Sequence, residues 1–283
     1  MPWRRKIDCH YPNREKSVGI FFQSIKHLFE HHLSAHLEDR THLDRCAQAL
    51  EAADFDSALK HVLPKAEAGE ACSQNLAGRI YKESSGMVTD HQQAMKWFAA
   101  AAQQGHADAQ ANLALMYCEG LATPPDYNLA AEWFYKAAMQ NHADAQFRLA
   151  MLYLYGTGVR QNGVEAFKWF MLAAENGHTD AQFNLSEMYL QGIAVERNFE
   201  EGTRWTRIAA DNGHPDAQNA LGEMFYIGEG VPFNQKEAVK WWRAAAANGN
   251  QVAVNHLKML AEIGPVRRQK NTGEKPHGLL PGM

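Results

Sequence analysis

Residues 105–120 read GHADAQANLALMYCEG, and three later stretches repeat this pattern: NHADAQFRLAMLYLYG at 141–156, GHTDAQFNLSEMYLQG at 177–192 and GHPDAQNALGEMFYIG at 213–228. Each stretch begins 36 residues after the previous one, and no insertion interrupts the series. A tryptophan recurs with the same period, at Trp97, Trp133, Trp169, Trp205 and Trp241. A constant period of this length is typical of an array of identical structural units.

Each 36-residue unit has the pattern of two helices. In the first, Ala145, Leu149 and Leu152 recur at spacings of four and three residues, which places them on one helix face. An aspartate such as Asp144 in the first turn stabilises this helix, because the N-terminal end of a helix carries partial positive charge. A glycine such as Gly156 ends the helix, because glycine tolerates a left-handed backbone. The second helix follows an Asp or Asn in the N-cap position, at Asp90, Asp126, Asn162, Asn198 and Asn234.

The recurring tryptophans and tyrosines are interpreted as core residues and not as a cofactor site. They lie on the inward stripe of every unit, opposite small alanines such as Ala173 and Ala174 that allow close contact between helices. One hairpin cannot bury its apolar face alone, so stacked neighbours must supply the core. The predicted fold class is therefore all-α: an α/α superhelix, or solenoid, of helix-turn-helix repeats.

The composition excludes several classes of protein. Among the 283 residues, 46% are hydrophobic and 21% are charged, as in globular chains. No run of 18 apolar residues is present, so no membrane-spanning helix is predicted. The formal net charge is −4, and residues 41–262 carry 26 acidic against 17 basic side chains. This acidic body disfavours a nucleic-acid partner and favours a neutral or basic one.

The cysteines and the N-terminus favour a reduced, cytoplasmic protein. No two cysteines lie close in sequence, so neither a disulfide framework nor a Cys-x-x-Cys site is predicted for Cys9, Cys46, Cys72 and Cys118. The basic N-terminus is followed by SVGIFFQSIKHLFEHHL at residues 17–33, which polar and charged residues interrupt. A signal peptide needs an uninterrupted apolar core and a small-residue cleavage site, and the pattern has neither.

Five segments are predicted along the chain. Residues 1–16 form a flexible basic N-terminus, and residues 17–68 form an amphipathic helix and a degenerate first hairpin. Five 36-residue repeats span residues 69–248, a capping helix spans 249–262, and residues 263–283 form a disordered tail. The N-terminal helix is expected to cap the first repeat. The alternatives are partner binding and weak contact with a membrane surface through its apolar stripe and the basic residues near Trp3.

The combined pattern is G-H-x-D-A-Q-x-x-L-x-x-x-Y-x-x-G-x-G-V, then D/N-x-x-x-A-x-x-W-x-x-x-A-A-x-x-G, and it resembles the Sel-1-like repeat (SLR) family, relatives of the tetratricopeptide repeats. The resemblance covers about residues 69–262. Two positions depart from it, since His61 stands in the tryptophan column and Gly202 in an alanine column. The resemblance implies a bacterial scaffold or adaptor that binds another protein. Some bacterial members have paired cysteines that this sequence lacks, which again points away from the periplasm.

No catalytic, metal-binding or cofactor-binding residue is predicted. Four histidines recur one repeat apart, about 10 Å by the spacing of packed helices, which is too far to share a metal ion. They are His106, His142, His178 and His214, and a local role at the turn before the first helix is expected. Near the N-terminus, three pairs have the i,i+4 spacing of zinc ligands without completing a set: His27/His31, His32/His36 and His42/Cys46. The sequence has no phosphate-binding loop, nucleophile elbow or zinc-protease motif. A β-lactam-directed or metal-dependent hydrolase is the alternative from the enzyme class.

The partner site is predicted on the first helix of each repeat, which lines the concave face of such a superhelix. Counting from the initial Gly or Asn, offsets 4, 8, 11 and 12 are assigned to the core, so offsets 3, 7, 10 and 14 form an exposed stripe. The candidate site residues on this stripe are Asn112, Leu115, Arg148, Met151, Tyr155, Asn184 and Glu187. The stripe varies between repeats, as a recognition surface would and as an unconstrained surface would.

Arg148, Met151 and Tyr155 are expected to be the centre of this site, because an Arg, a Met and an aromatic residue are typical of an interface anchor. Asn112 and Asn184 flank them and could bond a peptide backbone. The prediction is a monomer that binds a protein or peptide. An immunity protein against a secreted toxin is the alternative within the binding class.

Overall fold

The computed structural model describes residues 45–83 and 89–263. Residues 45–51 are helical, and twelve α-helices of 12 or 13 residues follow in this part of the chain. They are α1 (Phe55–Glu67), α2 (Ala71–Glu83), α3 (His91–Gln103), α4 (Ala107–Glu119), α5 (Tyr127–Ala138), α6 (Ala143–Tyr155), α7 (Gly163–Glu175), α8 (Thr179–Gln191), α9 (Phe199–Asp211), α10 (Pro215–Ile227), α11 (Gln235–Ala247) and α12 (Gln251–Ile263). No strand occurs over the described residues, and the predicted all-α fold class is confirmed.

The chain divides into two compact units, the first ending at Gln161 and the second beginning at Asn162. In the first unit, each of α1 to α5 packs against the next helix along the chain, and in the second unit each of α7 to α11 does the same. Each unit is thus a stack of helical hairpins. The even-numbered helices α2 to α10 are the first helices of the repeats, and the odd-numbered helices α3 to α11 are the second helices.

The predicted capping residues are confirmed at both ends of the helices. Each second helix from α3 to α11 has an Asp or Asn as its N-cap residue, and the Oδ1 of that side chain accepts a hydrogen bond from a backbone amide of the first turn. The five N-cap residues are Asp90, Asp126, Asn162, Asn198 and Asn234. The first helices α4, α6, α8 and α10 each end at a glycine with φ between 65° and 77°. A side chain at this left-handed position would strain the backbone, which explains why glycine recurs there.

Most columns that the sequence assigns to the core are buried, whereas Tyr117, Tyr153 and Tyr189 of the tyrosine column are half-buried. In the first unit, Ala109, Leu113 and Met116 of α4 are at most 1% exposed and pack with Phe98 of α3. In the second unit, Ala217 and Leu221 of α10 are fully buried. The tryptophan column is also core, since its members are buried or pack partly buried against the core clusters: Trp97, Trp133, Trp169, Trp205 and Trp241.

The two departures from the repeat pattern have different surroundings. His61 lies half-buried on α1, which is preceded by an N-cap at Asp54. Gly202 of α9 is buried, and the Leu190 side chain lies 2.6 Å from the place that a Cβ on this glycine would take. The missing methyl group therefore leaves room for the Leu190 side chain of α8.

Candidate partner-binding surface

A buried glutamine in each first helix ties that helix to the second helix before it. These glutamines, at most 6% exposed, are Gln74, Gln110, Gln146, Gln182 and Gln218. Each donates through Nε2 to an alanine carbonyl in the last turn of the preceding second helix (of α1 for Gln74), at 3.0–3.2 Å. The buried carbonyl and the buried amide therefore satisfy each other.

Four of these glutamines also accept a bond from the next repeat. The donor is a side-chain amide 30 residues later, in the pairs Gln104 to Gln74, Gln140 to Gln110, Asn212 to Gln182 and Asn248 to Gln218, at 2.7–3.0 Å. This amide ladder sets the position of one first helix relative to the following hairpin. Sequence reasoning missed it, although the invariant Gln after each Asp-Ala was the signal.

The four repeat histidines act locally, as expected from their spacing. Each is the N-cap of its first helix, and its Nδ1 accepts from the backbone amide three residues later, at 3.1–3.4 Å: His106, His142, His178 and His214. An accepting Nδ1 carries no proton, so the capping ring is the Nε2–H tautomer.

Two of these rings also reach back to the preceding repeat. The Nε2 of His142 lies 3.3 Å from Asp108 Oδ1, and the Nε2 of His214 lies 3.4 Å from Asp180 Oδ1. The hydrogen bond from His142 lowers the pKa of Asp108, although burial opposes it. At the last repeat an asparagine replaces the histidine: Asn250 accepts from the Ala253 amide at 2.8 Å and donates to Asp216 at 2.7 Å. Asparagine can therefore make both bonds.

This substitution within the chain gives a matched test. Replacing His142 with Ala removes the cap of α6 and the link to Asp108, and should lower the free energy of unfolding by about 1–2 kcal/mol. His142→Asn should lower it by less than about 0.5 kcal/mol. Urea unfolding at pH 7.5 measures both variants. Equal losses in the two would mean that asparagine does not restore the cap and the link to Asp108 at this position.

The candidate residues of the first unit lie on α4 and α6, and all five are half-buried: Asn112, Leu115, Arg148, Met151 and Tyr155. The Nδ2 of Asn112 donates to Asn75 Oδ1 at 3.1 Å, so one of its amide hydrogens is used in a bond to the preceding first helix, α2. The Nε of Arg148 donates to Asp144 Oδ2 at 2.8 Å, one turn earlier on α6. Burial raises the pKa of Tyr155, which keeps its hydroxyl a neutral donor and acceptor.

In the second unit, the candidate residues are Asn184 and Glu187 on α8, and both are half-buried. The Nδ2 of Asn184 donates to the Asp180 carbonyl at 2.7 Å. Glu187 accepts from Gln191 at 2.6 Å, but its burial raises the pKa of its carboxyl group. A carboxylate in this condition gains from a cation brought to its open side.

The candidate metal ligands fall into two groups. His27, His31, His32, His36 and His42 lie outside the described residues. Cys46 is buried, its Sγ lies 3.8 Å from the Ala58 carbonyl, and burial raises the pKa of its thiol to about 12. Over residues 45–83 and 89–263, no three His, Cys, Asp or Glu side chains converge as a metal site requires.

The same described residues contain no helix that is both long enough and apolar enough to cross a membrane.

Comparison with known proteins identifies the repeat. The Sel1 repeat family matches at residues 73–106, 107–142, 143–178, 179–214 and 215–250. A Sel1 repeat protein from Oxalobacter formigenes is 30% identical, with a TM-score of 0.69 over 80% of this chain and 90% of that chain. A protective antigen of uropathogenic Escherichia coli with an SLR fold is 35% identical, with a TM-score of 0.69 over 72% of this chain and 44% of that chain. No curated protein matches. With five matched repeats covering most of its length, the chain belongs to the Sel1 repeat family.

Proposed function

We propose that this chain is a non-catalytic scaffold that binds a partner protein or peptide on the surface of its first helices. Sel1 repeat proteins are generally protein-interaction scaffolds. We propose that the partner binds in the first unit at Arg148, Met151 and Tyr155 of α6, with Asn112 and Leu115 of α4 beside them. In the second unit, the proposed contact residues are Asn184 and Glu187 of α8.

The observation that carries this proposal is the partial exposure of the three anchor-type side chains on α6. Other columns of that helix hold the fold together: Ala145, Leu149 and Leu152 are at most 2% exposed, and Gln146 donates to the Ala138 carbonyl of α5. Arg148, Met151 and Tyr155 keep part of their surface open at spacings of three and four residues. Partly buried aromatic, Arg and Met side chains are held in place by their surroundings, so binding costs them little conformational entropy.

The expected partner segment is neutral or basic. In the second unit, the first helices α8 and α10 contain Asp180, Glu187, Asp216 and Glu223 and no Lys or Arg. Basic side chains of that unit such as Arg204 and Lys240 lie on the second helices α9 and α11 instead. A partner that approaches the first helices therefore meets negative charge, which favours cations and repels nucleic acid.

Affinity capture with two matched variants tests the site. Arg148→Glu/Tyr155→Ala should lose at least tenfold of the captured partner, relative to wild type, because both changes remove an anchor. The control Arg160→Glu/Tyr135→Ala makes the same chemical changes at exposed positions of the same unit and should retain the partner. Circular dichroism checks that both variants stay folded. A partner that both variants retain equally would contradict the proposed site.

The alternatives receive less support. The sequence contains neither a nucleophile elbow nor a zinc-protease motif, so no observation favours a hydrolase. An immunity protein from Pseudomonas aeruginosa aligns at 21% identity and a TM-score of 0.45, over 66% of this chain and 68% of that chain, which is too distant to favour that role. We further propose that the scaffold acts as a cytoplasmic monomer, in keeping with a sequence in which no two cysteines lie close together.

A further inference from the structure

The second unit presents a helix face that lacks basic side chains and that α12 covers only in part, where His256 meets Glu223. This face, called here the α8–α10 face, comprises Asn184, Glu187 and Gln191 of α8 with Ala220, Glu223 and Ile227 of α10. None of the six is fully buried, and neither helix contains a Lys or Arg. It lies in the second unit alone, so it is separate from the anchor residues on α6.

The two carboxylates on this face are poorly compensated. Burial raises the pKa of Glu223, and the nearby charge of Glu187 raises it further, against one hydrogen bond from Asn219. Burial likewise raises the pKa of Glu187. His256 of α12 lies with its Nε2 3.8 Å from Glu223 Oε1, but burial lowers the pKa of this ring, so it is neutral at physiological pH. A cation placed on the face would relieve this repulsion.

The chain carries such cations directly after α12. Residues 264–270 read GPVRRQK, with three basic and no acidic side chains, and they lie outside the described residues. From His256, which contacts Glu223, to the end of α12 at Ile263 is about 10 Å of helix. Four extended residues from Ile263 to Arg267 span about 14 Å. Arg267 and Arg268 can therefore reach back to Glu223 and Glu187.

We propose that the basic segment 264–270 of this chain docks on the α8–α10 face and occupies it until a partner displaces it. Tethering gives the segment an effective concentration in the millimolar range, so a weak charge-based contact is sufficient. Because the segment is covalently attached, the contact is intramolecular and independent of protein concentration. Salt weakens it, since the attraction is between partly exposed charges. A basic partner segment would compete for the same face.

Limited trypsin digestion of the full chain tests this contact. Cleavage after Arg267 and Arg268, followed by mass spectrometry, should be about tenfold slower in wild type than in Glu187→Gln/Glu223→Gln. Glutamine keeps the shape of both side chains and removes their repulsion, so we expect this variant to be at least as thermally stable as wild type. The control Glu200→Gln/Glu229→Gln neutralises two exposed carboxylates of the same unit and should cleave at the wild-type rate.

Two further conditions separate the possible occupants. In 0.5 M NaCl, the wild-type rate should rise to that of Glu187→Gln/Glu223→Gln. The rate at 1 μM and at 100 μM protein should be the same, since a segment from a second copy would protect only at the higher concentration. Equal cleavage of wild type and Glu187→Gln/Glu223→Gln, or protection that grows with concentration, would overturn the proposal.

Discussion

Replacing Gln182 with Glu should destabilise the protein by about 4 kcal/mol at pH 7, because the carboxylate would face the Ala174 carbonyl that the glutamine amide now meets at 3.2 Å. Gln182 is only 3% exposed, so water cannot compensate. The folded state would instead protonate the new carboxyl group. A protonated Glu can donate to Ala174 and accept from Asn212, as the glutamine does. The cost is therefore that of protonating a carboxyl group at the pH of the experiment.

The pH dependence of this variant follows from the same argument. Its folded-state pKa lies above the unfolded value of about 4.3. Stability from the protonated group is thus present at low pH and is lost as the pH rises through the folded-state pKa. The difference in unfolding free energy from wild type should shrink from about 4 kcal/mol at pH 7 to about 1 kcal/mol at pH 5.

Two further substitutions complete this test by urea unfolding. Gln182→Met has a similar volume but removes the side-chain partner of the Ala174 carbonyl and of the Asn212 amide, and should cost about 2–3 kcal/mol at either pH. Gln191→Met lies on the same helix at an exposed position and should cost less than about 0.5 kcal/mol. If Gln182→Glu showed no dependence on pH relative to wild type, the buried amide ladder would not contribute to stability as described.

Gly222→Ala is expected to lower the unfolding free energy by about 2 kcal/mol, although alanine favours helices. A Cβ on Gly222 would lie 2.5 Å from Cδ1 of Trp242, which is fully buried and donates to the Asn219 carbonyl. Overpacking at such a position costs about 1–3 kcal/mol, and the strong overlap places this site near the upper end. The gain in helix propensity of up to about 1 kcal/mol offsets only part of that cost.

A smaller ring should rescue this variant. An earlier repeat has alanine and phenylalanine at these two columns: Ala114 corresponds to Gly222, and Phe134 corresponds to Trp242. Both Ala114 and Phe134 are at most 1% exposed, so this pair fits in the core. We therefore expect Gly222→Ala/Trp242→Phe to be more stable than the two single variants predict by addition, with a coupling of about 1–2 kcal/mol. A thermal or urea double-mutant cycle measures this coupling, and strict additivity would show that the two side chains do not compete for space.

The periodic sequence predicts the helices and their ends because those features depend on neighbouring residues. An Asp or Asn at the N-cap and a Gly at the C-cap act within one turn, so columns such as Asp126 and Gly156 can be interpreted without a structure. The core columns are equally visible, because Leu149 and Leu152 recur with the helical period. The histidine caps were expected to be local, and their Nδ1 bonds are.

Contacts between repeats could not be predicted, because they join residues far apart in sequence. The partner of Gln182 lies 30 residues later, and nothing in either residue shows that the pair is buried. The same is true of Gly222 and Trp242, which lie on different helices and meet only in the folded chain. For the candidate site, the sequence placed Asn112 on an open stripe, but its bond to Asn75 makes it half-buried. Exposure on a first helix depends on the neighbouring first helices.

Photo-crosslinking from matched methionine positions tests the central claim most directly. A benzoylphenylalanine in place of Met151, on the first helix α6, should form a partner adduct in living cells. The same probe in place of Met139, which is 61% exposed after the second helix α5 of the same unit, should form none above background. Adducts at Met139 and not at Met151 would contradict partner binding on the first helices.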